Sequence, residues 1–244
     1  MKRGKTHTLK IWGDFGCFSR PELKTERFSY PCPTPSAARG IFDSIYCKAY
    51  DRQTKTAQFY WQVEKIELLS YPSYIALRRN EVSQTVAADS TVKQWMQHPE
   101  RFKPIVADDN NRQQRQTMAL RNPSFRIHAH IVTRPGFDNS LTAFEKQFIR
   151  RATRGKFFTM PNMGCREFPA FFEYIDNVNT EPSPVEFNQN LGFILYDVFD
   201  LRKVNDQFAH PFVSVFKAEI QHGVLDVPVY CDAKVLKPEV SNAS

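Results

Sequence analysis

The sequence predicts an α+β fold, and three observations support that prediction. Several short segments alternate polar and apolar residues, as strands with one buried face do. Two longer segments repeat apolar residues at helical spacing. Apolar residues make up 41% of the 244 positions and include 21 phenylalanines, which supply enough aromatic surface to fill a core. A mainly disordered chain is therefore excluded.

The first third of the chain contains one strand, one helix and two more strands. Residues 7–12 alternate polar and apolar positions and predict the first strand. Pro35, together with the apolar spacing that follows it, predicts a helix over about 36–49. Residues 59–69 and 74–79 contain several aromatic and branched apolar residues and predict two strands.

The middle of the chain has no clear period between residues 81 and 122. Within it, residues 108–115 form a polar run of Asp, Asn, Arg and Gln. Such a run is typical either of an exposed hairpin tip or of a mobile insertion. We therefore predict an insertion over about 83–122 and leave both forms open.

Three elements follow the insertion. Residues 125–132 alternate so regularly that they predict a half-buried strand, with one arginine and two histidines on its polar face. A second helix is predicted over about 139–153, and Gly155 is placed to end it. An aromatic segment over 167–175 predicts the next strand.

The predicted elements occur in the order strand, helix, strand, strand, helix, strand. This is the order of the split β-α-β, or ferredoxin-like, unit, which RNA-recognition domains also use. We assign the unit to residues 1–177, followed by a polar linker over 178–190. Three further apolar runs predict a small antiparallel β domain, so that the second unit covers 178–244. Those runs are residues 191–199, 211–220 and 224–230.

Charge and cysteine content narrow the class of protein. Lys and Arg outnumber Asp and Glu by 33 to 26, and the net charge of +7 favours a polyanionic partner, nucleic acid before an acidic membrane. The five cysteines are odd in number and lack Cys-x-x-Cys or zinc-finger spacing, so we predict reduced thiols, with no bound metal and no cofactor. No signal peptide and no membrane span are predicted, which indicates a cytoplasmic protein.

Short motifs follow one another along residues 8–175. They are Gly13-Asp14, Phe18-Ser19-Arg20-Pro21-Glu22, Glu26-Arg27-Phe28-Ser29-Tyr30, Pro33-Thr34-Pro35-Ser36-Ala37-Ala38-Arg39-Gly40, Ile45-Tyr46, Arg78-Arg79-Asn80-Glu81-Val82, Arg112-Gln113-Gln114-Arg115, Arg150-Arg151-Ala152 and Gly164-Cys165-Arg166-Glu167-Phe168. Each motif alone is a weak signal. In this order and at this spacing they resemble the Cas-five family of type I-C CRISPR systems, within the RAMP superfamily.

The resemblance implies a fold and two roles. The implied fold is a ferredoxin-like domain with a β-hairpin excursion and a C-terminal sheet, which agrees with the patterns above. The implied roles are cleavage of the repeat hairpin in precursor CRISPR RNA and retention of the 5′ handle of the mature guide RNA (crRNA) inside Cascade. The implied partners are the CRISPR repeat RNA, the backbone and large subunits of Cascade, and the target DNA within that complex.

An RNA handle is a single strand whose phosphates attract cations and whose unpaired bases stack on flat side chains. The candidate RNA contacts are therefore mostly basic, with one tyrosine, one serine and one glycine among them. They are Arg20, Lys24, Arg27, Tyr30, Ser36, Arg39, Lys48, Arg78, Arg79, Arg112, Arg115, Arg150, Arg151, Arg154, Lys156, Gly164 and Arg166.

The candidate contacts also have structural interpretations, which stay open at this point. Phe18, Phe28 and Tyr30 either stack on bases or pin a long loop to the core. Gly164 either lets a phosphate approach the backbone or forms an ordinary turn. The basic end of the second helix faces either RNA or solvent. Arg112 and Arg115, which flank two glutamines in the insertion, contact either RNA or a displaced DNA strand.

Cleavage of RNA without a metal needs a base for the 2′-hydroxyl, an acid for the leaving oxygen and cations for the phosphorane. The resemblance assigns Tyr46 to the family's active-site tyrosine, although its apolar helix also suits a core tyrosine. The family carries a Lys-His pair just before its Phe-x-Arg-Arg-Ala string, and here that pair falls on Ala143 and Phe144. Lys146, one turn away, is a candidate replacement for the cation.

His128 and His130 share the polar face of a predicted strand and are candidates for the missing base, or for an ordinary polar strand face. Two main hypotheses follow. The chain either processes precursor RNA and then holds the handle, or it is a non-catalytic Cascade subunit that only caps the handle. A third hypothesis, an RNA-binding domain unrelated to CRISPR, requires the ordered motifs to be coincidental.

Overall fold

The computed structural model describes residues 1–23, 26–48, 57–83, 89–102, 106, 108, 111–202 and 212–238. Within these ranges sheet predominates over helix, so the α+β prediction is confirmed. Lys24, a candidate RNA contact, lies outside the described residues. The first helix ends at Ile45, before its predicted end near residue 49. No helix in these ranges has the length and apolar content that crossing a bilayer requires.

Twelve strands and three α-helices are present in the described residues. The strands are β1 (Arg3–Trp12), β2 (Phe15–Gly16), β3 (Arg27–Phe28), β4 (Phe59–Leu68), β5 (Tyr74–Val82), β6 (Arg112–Arg121), β7 (Ser124–Thr133), β8 (Phe171–Ile175), β9 (Gln189–Asp197), β10 (Ser214–Gln221), β11 (Val224–Asp226) and β12 (Val235–Leu236). The helices are α1 (Pro35–Ile45), α2 (Asp89–Gln97) and α3 (Leu141–Ala152). Short 3₁₀ turns cover Pro99–Arg101, Asp138–Ser140 and Val178–Thr180.

The larger sheet has the strand order β12-β10-β11-β4-β7-β1-β8, and β9 pairs with β10. Neighbouring strands among β4, β7, β1 and β8 are antiparallel. In the chain, α1 lies between β1 and β4, and α3 lies between β7 and β8. Both helices pack against this part of the sheet and against each other.

An aromatic cluster fills the space between the two helices and the sheet. The ring centroid of Trp61, on β4, lies 4.8 Å from that of Phe42 on α1 and 4.6 Å from that of Phe148 on α3. All three side chains are fully buried. Aromatic pairs of this kind contribute roughly 0.5–1.5 kcal/mol each beyond their buried area. The cluster therefore fixes both helices on the sheet.

Helix α1 begins one residue before its predicted start. Pro35 occupies its first turn, where a missing amide donor costs nothing. The side chain of Thr34 caps the helix by accepting a hydrogen bond from the backbone N–H of Ala37 at 3.2 Å. Ser36 lies in the first turn and is half-buried. The helix ends just before Tyr46, which has an extended backbone.

The prediction that β7 is half-buried is wrong, because both of its faces are buried. Arg126, His128 and His130 are less than a tenth exposed on the face away from the helices. Glu67 on β4 forms an ion pair with Arg126, and one of its carboxylate oxygens lies 3.4 Å from Nε2 of His128. Arg126 also donates to the carbonyl of Pro182 at 3.0 Å. Charged groups are buried here because each has a partner.

The remaining strands of the first part, β2, β3, β5 and β6, form a smaller sheet. β5 pairs with β6 along its whole length, so the two strands make an antiparallel hairpin, with α2 between them in the chain. This hairpin is one of the two forms that the sequence left open for the insertion. The polar run at 108–115 is partly strand, because β6 begins at Arg112.

The C-terminal strands continue the larger sheet. β9 and β10 are antiparallel neighbours, and β11 pairs with β4. Each of the three predicted C-terminal runs contains a strand. The division of the chain into two units at residue 177 stays a prediction.

Candidate nucleic-acid interface

Two candidate arginines meet at one carboxylate beside the smaller sheet. Arg27 on β3 and Arg79 on β5 donate to the same oxygen of Glu167, at 3.1 and 2.7 Å. Arg166 directly precedes this glutamate and is exposed. These three arginines outnumber the carboxylates of Glu167 and Glu81, whose charges both act on Arg27, and the excess of positive charge suits the phosphates of a nucleic acid. We call Arg27, Arg79 and Arg166 the arginine cluster.

The hairpin brings one further candidate to this side of the smaller sheet. Arg115 on β6 lies opposite Arg79 in the strand register and forms an ion pair with Glu81 at 3.6 Å. Arg78 precedes Arg79 and is exposed on the other face of β5. Arg112, at the start of β6, is also exposed. Arg115 therefore adjoins the arginine cluster, whereas Arg78 does not.

Gly164 is required by close contact between two chain segments. Its φ of +88° lies in the region that side chains disfavour. A Cβ atom at this position would lie only 2.1 Å from the carbonyl oxygen of Cys17. The backbone N–H of Cys17 donates to the carbonyl of Met163 at 2.8 Å, which holds the two segments together. This steric reason accounts for the glycine without a phosphate.

Cys165 has a reactive environment that sequence reasoning missed. Its Sγ donates to the carbonyl of Cys17 at 3.5 Å and accepts from the guanidinium of Arg27 at 3.8 Å. The pKa of Cys165 is lowered to about 7, mainly by a hydrogen bond with the Cys17 thiol and further by the charge of Arg27. The same hydrogen bond, with burial, raises the pKa of Cys17. The sequence signal was only the adjacency of this cysteine to Gly164 and an arginine.

Alkylation of Cys165 is expected to change with pH near neutrality. Because its pKa is about 7, the thiolate fraction, and with it the rate of reaction with iodoacetamide, should rise about tenfold between about pH 6 and about pH 8. Peptide mapping by mass spectrometry measures this rate, with exposed Cys231 as a second thiol in the same sample. Arg27→Ala should slow the reaction at neutral pH. A rate at Cys165 that stays constant over this range contradicts the assignment.

The aromatic residues of the 14–35 loop have mainly structural roles. Phe18 and Tyr30 are only 2% and 1% exposed. The guanidinium of Arg20 covers the ring of Tyr30 at 4.8 Å and lies 5.7 Å from that of Phe28. Buried rings have no free face for a base, so of the two interpretations left open for Phe18 and Tyr30 the burial favours the structural one. Phe28 is half-buried and packs 5.3 Å from Tyr74.

Arg39 also has a structural role instead of the predicted one. Its Nε and Nη2 atoms donate to the two carboxylate oxygens of Asp197 on β9, at 2.6 and 3.1 Å. Its Nη1 atom donates to Asp43, one turn further along α1. Asp197 is only 1% exposed. All three guanidinium nitrogens of Arg39 are therefore engaged by carboxylates, and the prediction that Arg39 binds phosphate is wrong.

The basic end of α3 presents a second group of cations. Arg150, Arg154 and Lys156 are exposed. Gly155, with a φ of +62°, ends the helix as predicted, and the next backbone N–H donates to the carbonyl of Arg151 at 2.9 Å. We call Arg150, Arg151, Arg154 and Lys156 the α3 basic end.

Arg151 connects the α3 basic end to the end of α1. Its Nε atom donates to the carbonyl of Ile45 at 2.7 Å, and its guanidinium lies 3.9 Å from the ring centre of Phe158. Tyr46 follows Ile45 directly. Lys48, two residues later, is exposed. The predicted catalytic tyrosine therefore adjoins the α3 basic end.

Tyr46 itself is largely buried. Its side chain is 4% exposed and packs on Phe59 with ring centroids 5.5 Å apart. Burial raises the pKa of Tyr46, and the charge of Arg151 opposes this rise. The indole N–H of Trp61 donates to the Tyr46 carbonyl at 2.9 Å, which fixes the backbone. The hydroxyl thus suits orientation and hydrogen bonding better than proton abstraction.

The position expected for the family's Lys-His pair is occupied by an apolar contact. Ala143 is exposed on α3, whereas Phe144 is 6% exposed and packs 5.0 Å from Phe59. Phe144 and Tyr46 thus pack on the same ring. Lys146 is exposed on the same helix, and the described residues include no hydrogen bond or ion pair to its side chain.

The candidate histidines do not join Tyr46. Nδ1 of His128 pairs with the hydroxyl of Thr8 at 3.0 Å, and Nδ1 of His130 pairs with a carboxylate oxygen of Glu64 at 2.8 Å. Both side chains lie on the sheet face away from α1 and α3. Burial lowers the pKa of His130 despite the nearby Glu64. These contacts favour the interpretation of both histidines as an ordinary polar strand face.

His7 lies on the helix side of the sheet, although sequence reasoning gave it no role. It is fully buried beside Phe148, with ring centroids 5.0 Å apart. Nδ1 pairs with the hydroxyl of Tyr174 at 3.3 Å. Burial lowers its pKa to about 4, so the ring is neutral at pH 7. Its complete burial separates it from any RNA.

Comparison with known proteins assigns the family. The family model described as CRISPR-associated protein (Cas_Cas5) matches residues 7–228, which is most of the chain. The chain belongs to this family. The resemblance of the ordered motifs to the Cas-five family is therefore confirmed.

Two curated relatives match the Cas5-family chain over most of its length. One, from Mannheimia succiniciproducens and named CRISPR pre-crRNA endoribonuclease Cas5d, is 37% identical over 229 residues, covering 91% of this chain and 94% of the relative. A protein of the same name from Thermus thermophilus is 34% identical over 232 residues, covering 90% of each.

Solved structures share the fold of the Cas5-family chain at low identity. A structure described as the crystal structure of a CRISPR-associated protein has a TM-score of 0.61 at 17% identity and covers 94% of both chains. The functionally uncharacterized protein SMU1763c from Streptococcus mutans has a TM-score of 0.60 at 15% identity, covering 97% of this chain and 99% of that one. These likenesses concern the fold alone.

Proposed function

We propose that this chain cuts precursor CRISPR RNA at the repeat and then holds the 5′ handle of the crRNA within Cascade. The observation that carries the proposal is the match to two relatives named pre-crRNA endoribonucleases, each covering at least 90% of this chain. The partners are the repeat RNA, the backbone and large subunits, and the target DNA in the complex. The protein acts in the cytoplasm, where these partners meet.

One chain segment joins the α3 basic end to the arginine cluster, and this segment supports a continuous path for the RNA. The segment starts at the α3 basic end, where the backbone N–H of Phe158 donates to the carbonyl of Ser44 at 2.7 Å. Its first half, residues 153–160, is exposed. It then reaches Gly164 and the arginine cluster. A ribose-phosphate strand along it meets cations at both ends.

The cleavage step is assigned to the region of Tyr46. There the 2′-hydroxyl gives its proton to water as its oxygen attacks the adjacent phosphorus, the P–O5′ bond breaks, and the leaving 5′-oxygen takes a proton from water, so that a 2′,3′-cyclic phosphate and a 5′-hydroxyl remain. The α3 basic end and Lys48 supply positive charge for the phosphorane. Tyr46 orients the reacting groups. Because Phe144 replaces the expected histidine, we expect cleavage about 10²–10⁴-fold slower than with a positioned base.

The function is tested by incubating the protein with repeat RNA in EDTA. The expected product carries a 2′,3′-cyclic phosphate, and both Tyr46→Phe and Lys146→Ala should be compared with the wild type. Tyr46→Phe should slow cleavage by at least about tenfold while RNA binding is kept. Binding with no product at long times contradicts the enzymatic part of the proposal.

The alternative is a non-catalytic subunit that only caps the handle. It is favoured by one observation, the packing of Phe144 against Phe59 where an imidazole is expected. In that case Tyr46 is retained for packing. The same EDTA experiment separates the two functions, since capping predicts tight binding of the handle and intact repeat RNA.

We propose further that residues 1–177 form a ferredoxin-like unit followed by a C-terminal β unit. The antiparallel order β8-β1-β7-β4, with α1 and α3 between the strands in the chain, supports this description. The pairing of β11 with β4 means that the second unit, 178–244, extends the sheet of the first.

A further inference from the structure

A cleft lies at the end of β1, outside the arginine cluster and the region of Tyr46. Its volume is about 520 Å³, within the range of small-molecule sites. Two backbone hydrogen bonds join the turns that form it. The N–H of Gly13 donates to the carbonyl of Pro123 at 3.3 Å, and the N–H of Asn122 donates to the carbonyl of Asp14 at 2.8 Å. The walls of the cleft are therefore preformed.

An exposed aromatic pair stands at this cleft. Trp12, which lines it, is 37% exposed, and Phe171, its neighbour across β1 and β8, is 48% exposed. The two rings are stacked, with centroids 6.1 Å apart and planes inclined at 30°. The ammonium of Lys10 lies 6.0 Å from the Trp12 ring centre. Aromatic surface next to a cation is suited to stacking a nucleic-acid base.

The polar groups of the cleft favour a base over a phosphate. Asp14 and Glu173 line it, and neither carboxylate has a side-chain hydrogen bond or ion pair with any described residue. Lys10 is the cation among the lining residues. Two carboxylates with one ammonium repel a phosphate, but they accept hydrogen bonds from N–H groups.

We propose that the cleft binds an unpaired RNA base that carries an exocyclic amine, namely adenine, cytosine or guanine. The base stacks on Trp12, and its amine donates to Asp14 or Glu173. Uracil has no such amine and binds less tightly. This inference rests on the proposed RNA-binding function and adds base selectivity to it.

The test compares two unstructured fluorescent RNAs of equal length, oligocytidine and oligouridine, by anisotropy. The wild type should bind oligocytidine more tightly. Trp12→Ala should weaken that binding by about 5- to 150-fold, and Trp12→Phe should retain most of it. Asp14→Ala combined with Glu173→Ala should reduce the ratio of the affinity for oligocytidine to that for oligouridine. The change in net charge affects both affinities alike, because the two RNAs carry the same number of phosphates, so it leaves this ratio unchanged.

Phe193→Ala is the matched control, because it removes an exposed aromatic ring from β9, away from the cleft. It should leave both affinities unchanged. The inference is overturned if the wild type binds the two RNAs equally or binds neither, or if Trp12→Ala behaves like Phe193→Ala. These failures are distinct from failure of the proposed function, which is measured with the repeat RNA: absent binding removes the RNA-binding role, and binding without product removes the enzymatic part.

Discussion

Replacing Gly164 with alanine is expected to lower the free energy of unfolding by about 2–5 kcal/mol. The new Cβ would lie 2.1 Å from the carbonyl oxygen of Cys17, so the two segments have to separate. Overpacking of this kind costs about 1–3 kcal/mol, and a positive φ costs a side chain a further 1–2 kcal/mol or so. The measurement is the midpoint of thermal unfolding, which should fall by about 4–20 °C.

Gly136→Ala separates the two causes of this loss. Gly136 has a φ of +89°, almost the same as the +88° of Gly164, but nothing lies within 4 Å of the position of its Cβ. Only the backbone cost of about 1–2 kcal/mol is expected there. If Gly164→Ala and Gly136→Ala lower the free energy of unfolding equally, the close contact between Cys17 and Gly164 does not cause the loss at Gly164.

Arg39→Ala is expected to destabilise the protein by about 3–5 kcal/mol, although the sequence suggested an RNA contact. The substitution leaves the carboxylate of Asp197 buried without its bidentate partner. A buried charge that loses its partner costs about this much. Chemical denaturation of the variant and the wild type measures the difference in the free energy of unfolding.

The control for Arg39→Ala is Arg154→Ala, which removes an exposed arginine from the α3 basic end. Its effect on stability should stay within about 0.5 kcal/mol. Combining Arg39→Ala with Asp197→Ala should cost less than the sum of the two single changes, because no unpaired charge remains. If the two losses in the free energy of unfolding simply add, the broken ion pair between Arg39 and Asp197 is not the cause of the destabilisation.

The sequence predicted the elements whose pattern is local. Apolar periodicity located α1 and α3, and alternation located β1 and β7 within a few residues. β6 was missed because its first half is a polar run that is held as a strand by pairing with β5. Such pairing partners are distant in sequence and leave no local period.

The candidate site was less predictable, because cations look alike in a sequence. Arg27 and Arg39 both occur in family-like motifs, but one shares an exposed glutamate with Arg79 and the other lies in a buried ion pair with Asp197. The partners of both arginines are more than 130 residues away in the chain. Only the fold decides which arginine remains accessible to a phosphate.

We propose that the arginine cluster binds the phosphates of repeat RNA. The most direct test is the salt dependence of RNA affinity for Arg27→Ala combined with Arg166→Ala, against Lys217→Ala combined with Lys234→Ala, which removes two exposed charges elsewhere. If both arginines contact phosphates, the first pair should weaken binding and reduce the slope of log affinity against log salt by about 1.4, at about 0.7 per phosphate. The second pair should leave the slope unchanged. Equal slopes in both double variants and the wild type would contradict the account.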